Sequence, residues 1–271
     1  MDLIQSILLG ILQGITEFLP VSSSGHLALA RALIGKNLQP GITFEIVVHF
    51  GSFCSIVVYY RKMIAEIISD FFHSISPKGL KAGRYKSDPN TLLVFFILIS
   101  MIPAMIVGFT LKDPIEKLFL NPFFVSLMLI VTGVLLFSTR FVKNPDKEMN
   151  GWRAILMGIA QSLAVIPGIS RAGSTISTGL YFGLNRNIAA TFSFLMVLPV
   201  LAGAMILEIK DVLEVGLDSI ALGGLAAGFF ASFISGYIAL SYLIKLLKRE
   251  KFHYFAYYCW AVGIGGLIYF A

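Results

Sequence analysis

The chain has 271 residues, 57% of them hydrophobic and 13% charged, with a mean hydropathy of +0.84. A soluble domain carries about 25% charged residues, so this composition excludes an ordinary soluble protein and points to a polytopic membrane protein. The formal charge of +6 does not imply a nucleic-acid partner. Arg61, Lys62, Lys78, Lys81, Arg84 and Lys86 share one interval, and Lys245, Lys248, Arg249 and Lys251 share another. Basic intervals between apolar spans mark the cytoplasmic side, so topology accounts for the charge.

The first apolar region, 3–35, is interrupted. It carries Gln13 and Glu17 where hydrocarbon is expected, breaks at Pro20, and continues through Ser22, Ser23, Ser24, Gly25 and His26. Polar groups and irregular backbone at membrane depth persist only where protein or a water-filled cavity surrounds them. Asp2 and these polar interruptions argue against a cleavable signal peptide. Six stretches have the roughly 20 apolar residues that a crossing needs: 43–60, 91–111, 122–141, 190–209, 219–243 and 254–271. A second interrupted region, 154–184, is cut by Pro167, Gly168 and Ser170. Each interrupted region reads as a re-entrant pair of half-helices. With both returning to the side they enter, the basic intervals 61–90, 140–153 and 245–253 fall inside. The balanced interval 112–121, the acidic interval 208–218 and both termini then fall outside. Cys54 and Cys259 sit in apolar runs, without disulfide or zinc spacing.

The chain also repeats. At an offset of 148, ILLGILQ (7–13) lies over ILMGIAQ (155–161), Ser22 over Ser170, Gly25 over Gly173, Gly35 over Gly183, Asn37 over Asn185, and Thr43-Phe44 over Thr191-Phe192. That makes 11 identities in 38 positions. The expected fold is therefore all-α: two inverted-topology repeats, each a re-entrant broken-helix hairpin plus three transmembrane helices, six spans in total. Repeat 1 covers 1–141 and repeat 2 covers 142–271, within one integral membrane domain. Such repeats place a site near the midplane, where the broken helices meet.

Gln13 and Glu17 are four residues apart and share a helix face. A half-helix starting near Ser23–Gly25 would point its free N–H groups and positive dipole end at the site, an arrangement suited to an anion. The plainer role for the serines is capping. In the second loop, Arg171 is the only charge between Arg153 and Arg186. Its guanidinium suits bidentate phosphate or carboxylate binding, and an ion pair with Glu17 is compatible with that role. Glu17 and His26 are then acid/base, nucleophile or metal-ligand candidates. A single carboxylate suffices for a divalent ion otherwise held by phosphate and water. Glu45 and His49, four apart on the first full span, are candidates for orienting Glu17, His26 or a metal; a plain interhelical hydrogen bond is the alternative. His73 and His253 read as solvated loop residues.

EFLPVSSSGH (17–26) and PGISRAGST (167–175) closely resemble the two signature motifs of the undecaprenyl-diphosphate phosphatase family, the bacitracin resistance proteins, and the likeness extends over the whole chain. The resemblance implies hydrolysis of a C55 polyprenyl diphosphate to the monophosphate in the bacterial cytoplasmic (inner) membrane. The lipid carrier for cell-wall synthesis is thereby recycled. The resemblance also implies a required divalent cation (Mg2+ or Ca2+) and an active site open to the outer face, and a homodimer is a candidate assembly. By motif, Glu17 is the acidic and metal-binding residue and Arg171 the phosphate-binding arginine. Ser23 and His26 are the proposed nucleophile and its partner. Gln13, Ser22, Ser24, Gly25, Ser170, Gly173, Ser174 and Thr175 would form the substrate pocket. Gln13 occupies the family's variable Glu-or-Gln position, so this chain lacks the second carboxylate that members with Glu could place on the metal, and Ala172 often appears as Ser. Whether Ser23 attacks with His26 as its base, or His26 attacks directly, stays open, with Ser23 preferred. The acid-phosphatase-like lipid phosphatases are excluded, because Ser177 occupies the place of their second-motif histidine. The alternative function is a transporter or flippase of a polyprenyl phosphate lipid, which needs the anion pocket but no nucleophile.

Overall fold

The computed structural model describes residues 3–34, 42–143, 146–215 and 222–271. The architecture is all-helical: α1 (Leu3–Phe18), α2 (Ser23–Ile34), α3 (Ile42–Tyr59), α4 (Arg61–Ile75), α5 (Pro77–Lys81), α6 (Pro89–Thr110), α7 (Lys112–Phe119), α8 (Pro122–Ser138), α9 (Gly151–Leu163), α10 (Arg171–Tyr181), α11 (Arg186–Val215), α12 (Leu222–Lys248) and α13 (Phe255–Phe270). Among the described residues the only bridge of β type joins Lys147 and Leu184. Helix starts follow local chemistry. Asp88 caps α6, its carboxylate accepting from Thr91 N at 2.7 Å, with Pro89 in the first turn. Asn121 and Pro122 open α8 in the same way, since proline there forfeits only an N–H that has no helical partner.

Among the described residues four helical segments are long and apolar enough to cross a membrane: Pro89–Thr110, Pro122–Phe141, Arg186–Gly203 and Leu222–Lys248. A fifth arises if Thr43–Tyr59 and Arg61–Ile75 are taken together, although they bend by 75°. The protein is thus a polytopic membrane protein. The interval 61–90, expected as a loop, is largely helical, and His73 lies in α4 rather than in a loop. Helix α4 leaves the direction of α3 with Ile68 and Phe72 exposed. The repeat matches at Gly35 and Asn37, and residue 218 of the acidic interval, fall outside the described residues.

Small residues set the helix seams. Added side-chain carbons on Gly10 and Gly14 of α1 would run into the backbone of α12 at Gly228, Ser232 and Gly236. One on Gly158 of α9 would run into Ser100 of α6. Where lipid is as apolar as the side chains, such close backbone approach is what packs membrane helices. The pairing is reciprocal: α1 lies along α12, α9 along α6, α8 against α13, and α3 against α11. Between these pairs a core forms around Phe18, Ile56, Met157, Ile176, Phe192 and Phe194. The breaks after α1 and after α9 open beside that core.

Candidate active site

Both breaks are built on one pattern. After α1, Pro20 ends the helix, and Ser22 adopts a left-handed backbone at φ 71°. That conformation is unfavourable for a residue with a Cβ, and local bonds hold it. Ser22 Oγ accepts from Gly25 N at 3.2 Å, and the Ser22 carbonyl accepts from His26 N at 3.1 Å. After α9, Gly168 takes φ 93°, and Ser170 Oγ accepts from Gly173 N at 3.1 Å. Thr132 of α8 fastens this second turn, donating to the Gly168 carbonyl at 2.8 Å and accepting from Ser170 N at 3.1 Å. A serine followed by a glycine three residues on therefore caps both α2 and α10. The two turns meet backbone to backbone: a side-chain carbon on Gly25 would lie 3.0 Å from Gly168 Cα.

Glu17 sits where they meet. Its Oε2 accepts from Ser23 Oγ at 2.8 Å and from Gln13 Nε2 at 3.1 Å, and its Oε1 accepts from an Arg171 guanidinium nitrogen at 2.9 Å. The side chains of Glu17 and Arg171 are only 9% and 14% exposed. A desolvated pair of this kind needs its other donors and acceptors met. Arg171 also donates to the Ser193 carbonyl at 3.4 Å, and Thr175 Oγ1 is 2.6 Å from Ser193 Oγ.

His26 is placed otherwise. Its Nδ1 lies 2.8 Å from the Ser22 carbonyl, which can only accept, so Nδ1 carries the proton. Its Nε2 then accepts from the Tyr258 hydroxyl at 2.9 Å. Both ring nitrogens are engaged, and the Ser23 hydroxyl goes to Glu17 rather than to His26. A Ser23–His26 hydrogen bond, expected from their spacing, is not made.

A cavity of about 310 Å³ opens over this arrangement. Glu17, Ser22, Ser23 and Ser24 line it from the first hairpin, and Gln161, Ser170 and Arg171 from the second. Apolar walls come from Ala104 and Gly108 of α6 and Val197, Val200 and Leu201 of α11. Gln13, Gly25 and His26 support the first turn from behind. Gly173, Ser174 and Thr175 are buried in α10, and none of them lines the cavity. The Glu45 carboxylate pairs with Arg31 at the end of α2, and its carbonyl accepts from His49 Nδ1 at 2.8 Å. Of the two roles open to Glu45, orienting Glu17, His26 or a metal and a plain interhelical contact, the pair with Arg31 of α2 is of the second kind.

Among the described residues no group of three or more His, Cys, Asp or Glu side chains converges, so no all-protein cage for a cation exists there. The donors beside Glu17 are nonetheless hard oxygens. Gln13 Oε1 is buried without a hydrogen-bond partner, on the same amide whose nitrogen touches Glu17. Glu17, on the cavity wall, fits as the single carboxylate of a magnesium- or calcium-type ion that draws its remaining ligands from phosphate and water.

Sequence reasoning missed Tyr258, Thr132, Ser193 and Gln161. Gln161 alone carried a signal, since it falls on Gln13 in the repeat.

Comparison with known proteins agrees with the motifs. Residues 6–265 match the family described as bacitracin resistance protein BacA. An undecaprenyl-diphosphatase of Salinibacter ruber is 39% identical over 264 residues, covering 97% of each chain. One of Alkaliphilus metalliredigens is 41% identical over 266 residues, again 97% of each. One of Methanosphaera stadtmanae is 41% identical over 271 residues, spanning 97% of this chain and 96% of the other.

Proposed function

The chain belongs to the bacitracin resistance protein BacA family, and from that premise we propose how its residues carry out the reaction. The protein is an integral membrane hydrolase that dephosphorylates undecaprenyl diphosphate to undecaprenyl phosphate, and bacitracin resistance is a feature of its family. The observation that carries the atomic reading is the continuous chain Ser23 Oγ to Glu17 to Arg171, at 2.8 and 2.9 Å, on the cavity wall.

In this reading Ser23 Oγ attacks the terminal phosphorus and gives its proton to Glu17. The bond from that phosphorus to the bridging oxygen breaks, and the lipid monophosphate leaves. Water then attacks the phosphoserine, releasing inorganic phosphate and restoring the hydroxyl. Arg171 turns part of its fork from Glu17 to the phosphoryl oxygens, and the N-termini of α2 and α10 add backbone N–H groups. With both ring nitrogens engaged, His26 holds the Ser22 turn and neither attacks nor serves as base. A divalent cation held by Glu17 would neutralise charge on the diphosphate and its leaving group.

The same reading extends to topology. The reciprocal packing of α1 on α12 and α9 on α6 supports two inverted repeats over 1–141 and 142–271. The basic intervals support a cytoplasmic side away from the termini. We place the protein in the bacterial inner membrane with its cavity open to the outer face.

The test is phosphate release from C55 diphosphate by purified protein in detergent, with and without EDTA, beside Ser23→Ala and Arg171→Ala. Turnover lost on chelation and in both variants is the expected result. A folded, lipid-binding wild type without turnover overturns it in favour of a carrier.

A further inference from the structure

Gln161 stands in the last turn of α9, is 4% exposed, and lines the cavity beside Ser170 and Arg171. Neither Nε2 nor Oε1 of its amide has a hydrogen-bond partner in the protein. The repeat explains how this arises. At the offset of 148, Gln161 falls on Gln13 and Val165 falls on Glu17. Gln13 donates to Glu17 four residues on, at 3.1 Å. Gln161 has Val165 at that place, and an isopropyl group accepts nothing. A buried amide with both ends unmet lowers stability, whereas an aliphatic side chain of similar shape carries no such penalty.

From these observations we propose that Gln161 is a substrate-binding residue whose amide N–H groups donate to the diphosphate. The proposal rests on the phosphatase reading above and adds a contact from the second hairpin. An acceptor-rich anion suits the site. Arg171, its neighbour in the cavity, is the cation there, and the α10 N-terminus adds further donors. A bound diphosphate offers oxygens on two phosphorus atoms, more than Arg171 alone can meet. Gln161 supplies donors without adding a charge that would have to be desolvated in the unliganded protein.

The experiment compares wild type, Gln161→Leu and Gln161→Glu as full-length proteins in detergent. It measures kcat and KM for C55 diphosphate and the unfolding temperature with and without that lipid. Q161L should unfold at or above the wild-type temperature while losing about tenfold or more in kcat/KM, the scale of one hydrogen bond to a charged group. Q161E should lose more, because its carboxylate faces the phosphate oxygens. A fall in the unfolding temperature of Q161L, with kcat/KM per folded molecule unchanged, would make Gln161 a packing residue and overturn the proposal. Wild-type turnover in Q161E with a tighter divalent-cation requirement would assign the amide oxygen to a metal and overturn it as well. If the wild type itself shows no turnover, the phosphatase reading fails separately. The thermal shift then decides the matter: C55 diphosphate should stabilise wild type and not Q161L, and equal shifts sink the proposal.

Discussion

Four residues beyond the half-helix glutamine, the first hairpin carries Glu17 and the second carries Val165. The frames around them are alike, with Ser22 and Gly25 in one and Ser170 and Gly173 in the other closing the same serine-to-glycine cap. What differs is the cargo of the frame. The first presents a carboxylate and a hydroxyl in contact, the second a guanidinium and an orphaned amide. In the proposed reaction the first hairpin accordingly moves the proton and the second holds phosphate. Backbone caps carry the resemblance, and single side chains carry the difference.

The largest effect should come from removing the charge that distinguishes the first hairpin. Glu17→Gln keeps the size of the side chain but loses the acceptor for the Ser23 proton and the counter-ion of Arg171. Phosphate-release assays should show kcat reduced about 10³-fold, the usual scale for a lost general base. Activity within tenfold of wild type would move the proton to another group.

Next comes the frame that the hairpins share. Gly168→Ala puts a Cβ on a left-handed residue pressed against α8, which should cost about 1–3 kcal/mol. Gly25→Ala meets nothing nearer than the Gly168 Cα at 3.0 Å and Ser22 Oγ at 3.1 Å, against 2.4 Å to the Val125 carbonyl at Gly168, and should cost less. Thermal unfolding in detergent ranks the two, and a reversed order would show that the second turn yields more easily than its packing implies.

The smallest effect should follow Tyr258→Phe, which removes one hydrogen bond to His26, worth about 0.5–1.5 kcal/mol. Turnover should fall by no more than about tenfold, with its pH profile kept. A loss as deep as that of Ser23→Ala would restore His26 to the chemistry.

The helices and the two breaks were legible because hydropathy and proline, glycine and serine placement act within a few residues. The ranges 91–111 and 122–141 fall on α6 and α8 almost end to end. Helix α4 was not legible as a helix, since Arg61, Lys62, Glu66 and Asp70 give it the charge density of a loop. The meeting of Glu17 with Arg171 could be guessed, both being charges without local partners in apolar sequence. Tyr258 could not, lying 232 residues from His26 in a run of aromatics that reads equally well as an interfacial belt. The Arg31–Glu45 pair was not legible either, because it joins the end of α2 to the start of α3 across residues 35–41, and spacing along the sequence does not fix that approach.

The ion pair of Glu17 and Arg171 has a kinetic meaning in the proposed reaction. The carboxylate occupies the guanidinium that a phosphoryl group must also reach, and so behaves as a tethered competitor. Each substrate must outbid it, which weakens capture of any single phosphate. Inorganic phosphate, lacking a lipid tail to hold it against apolar walls, is the species most readily displaced. The pair thereby favours clearance of the product and resets the cleft for the next carrier.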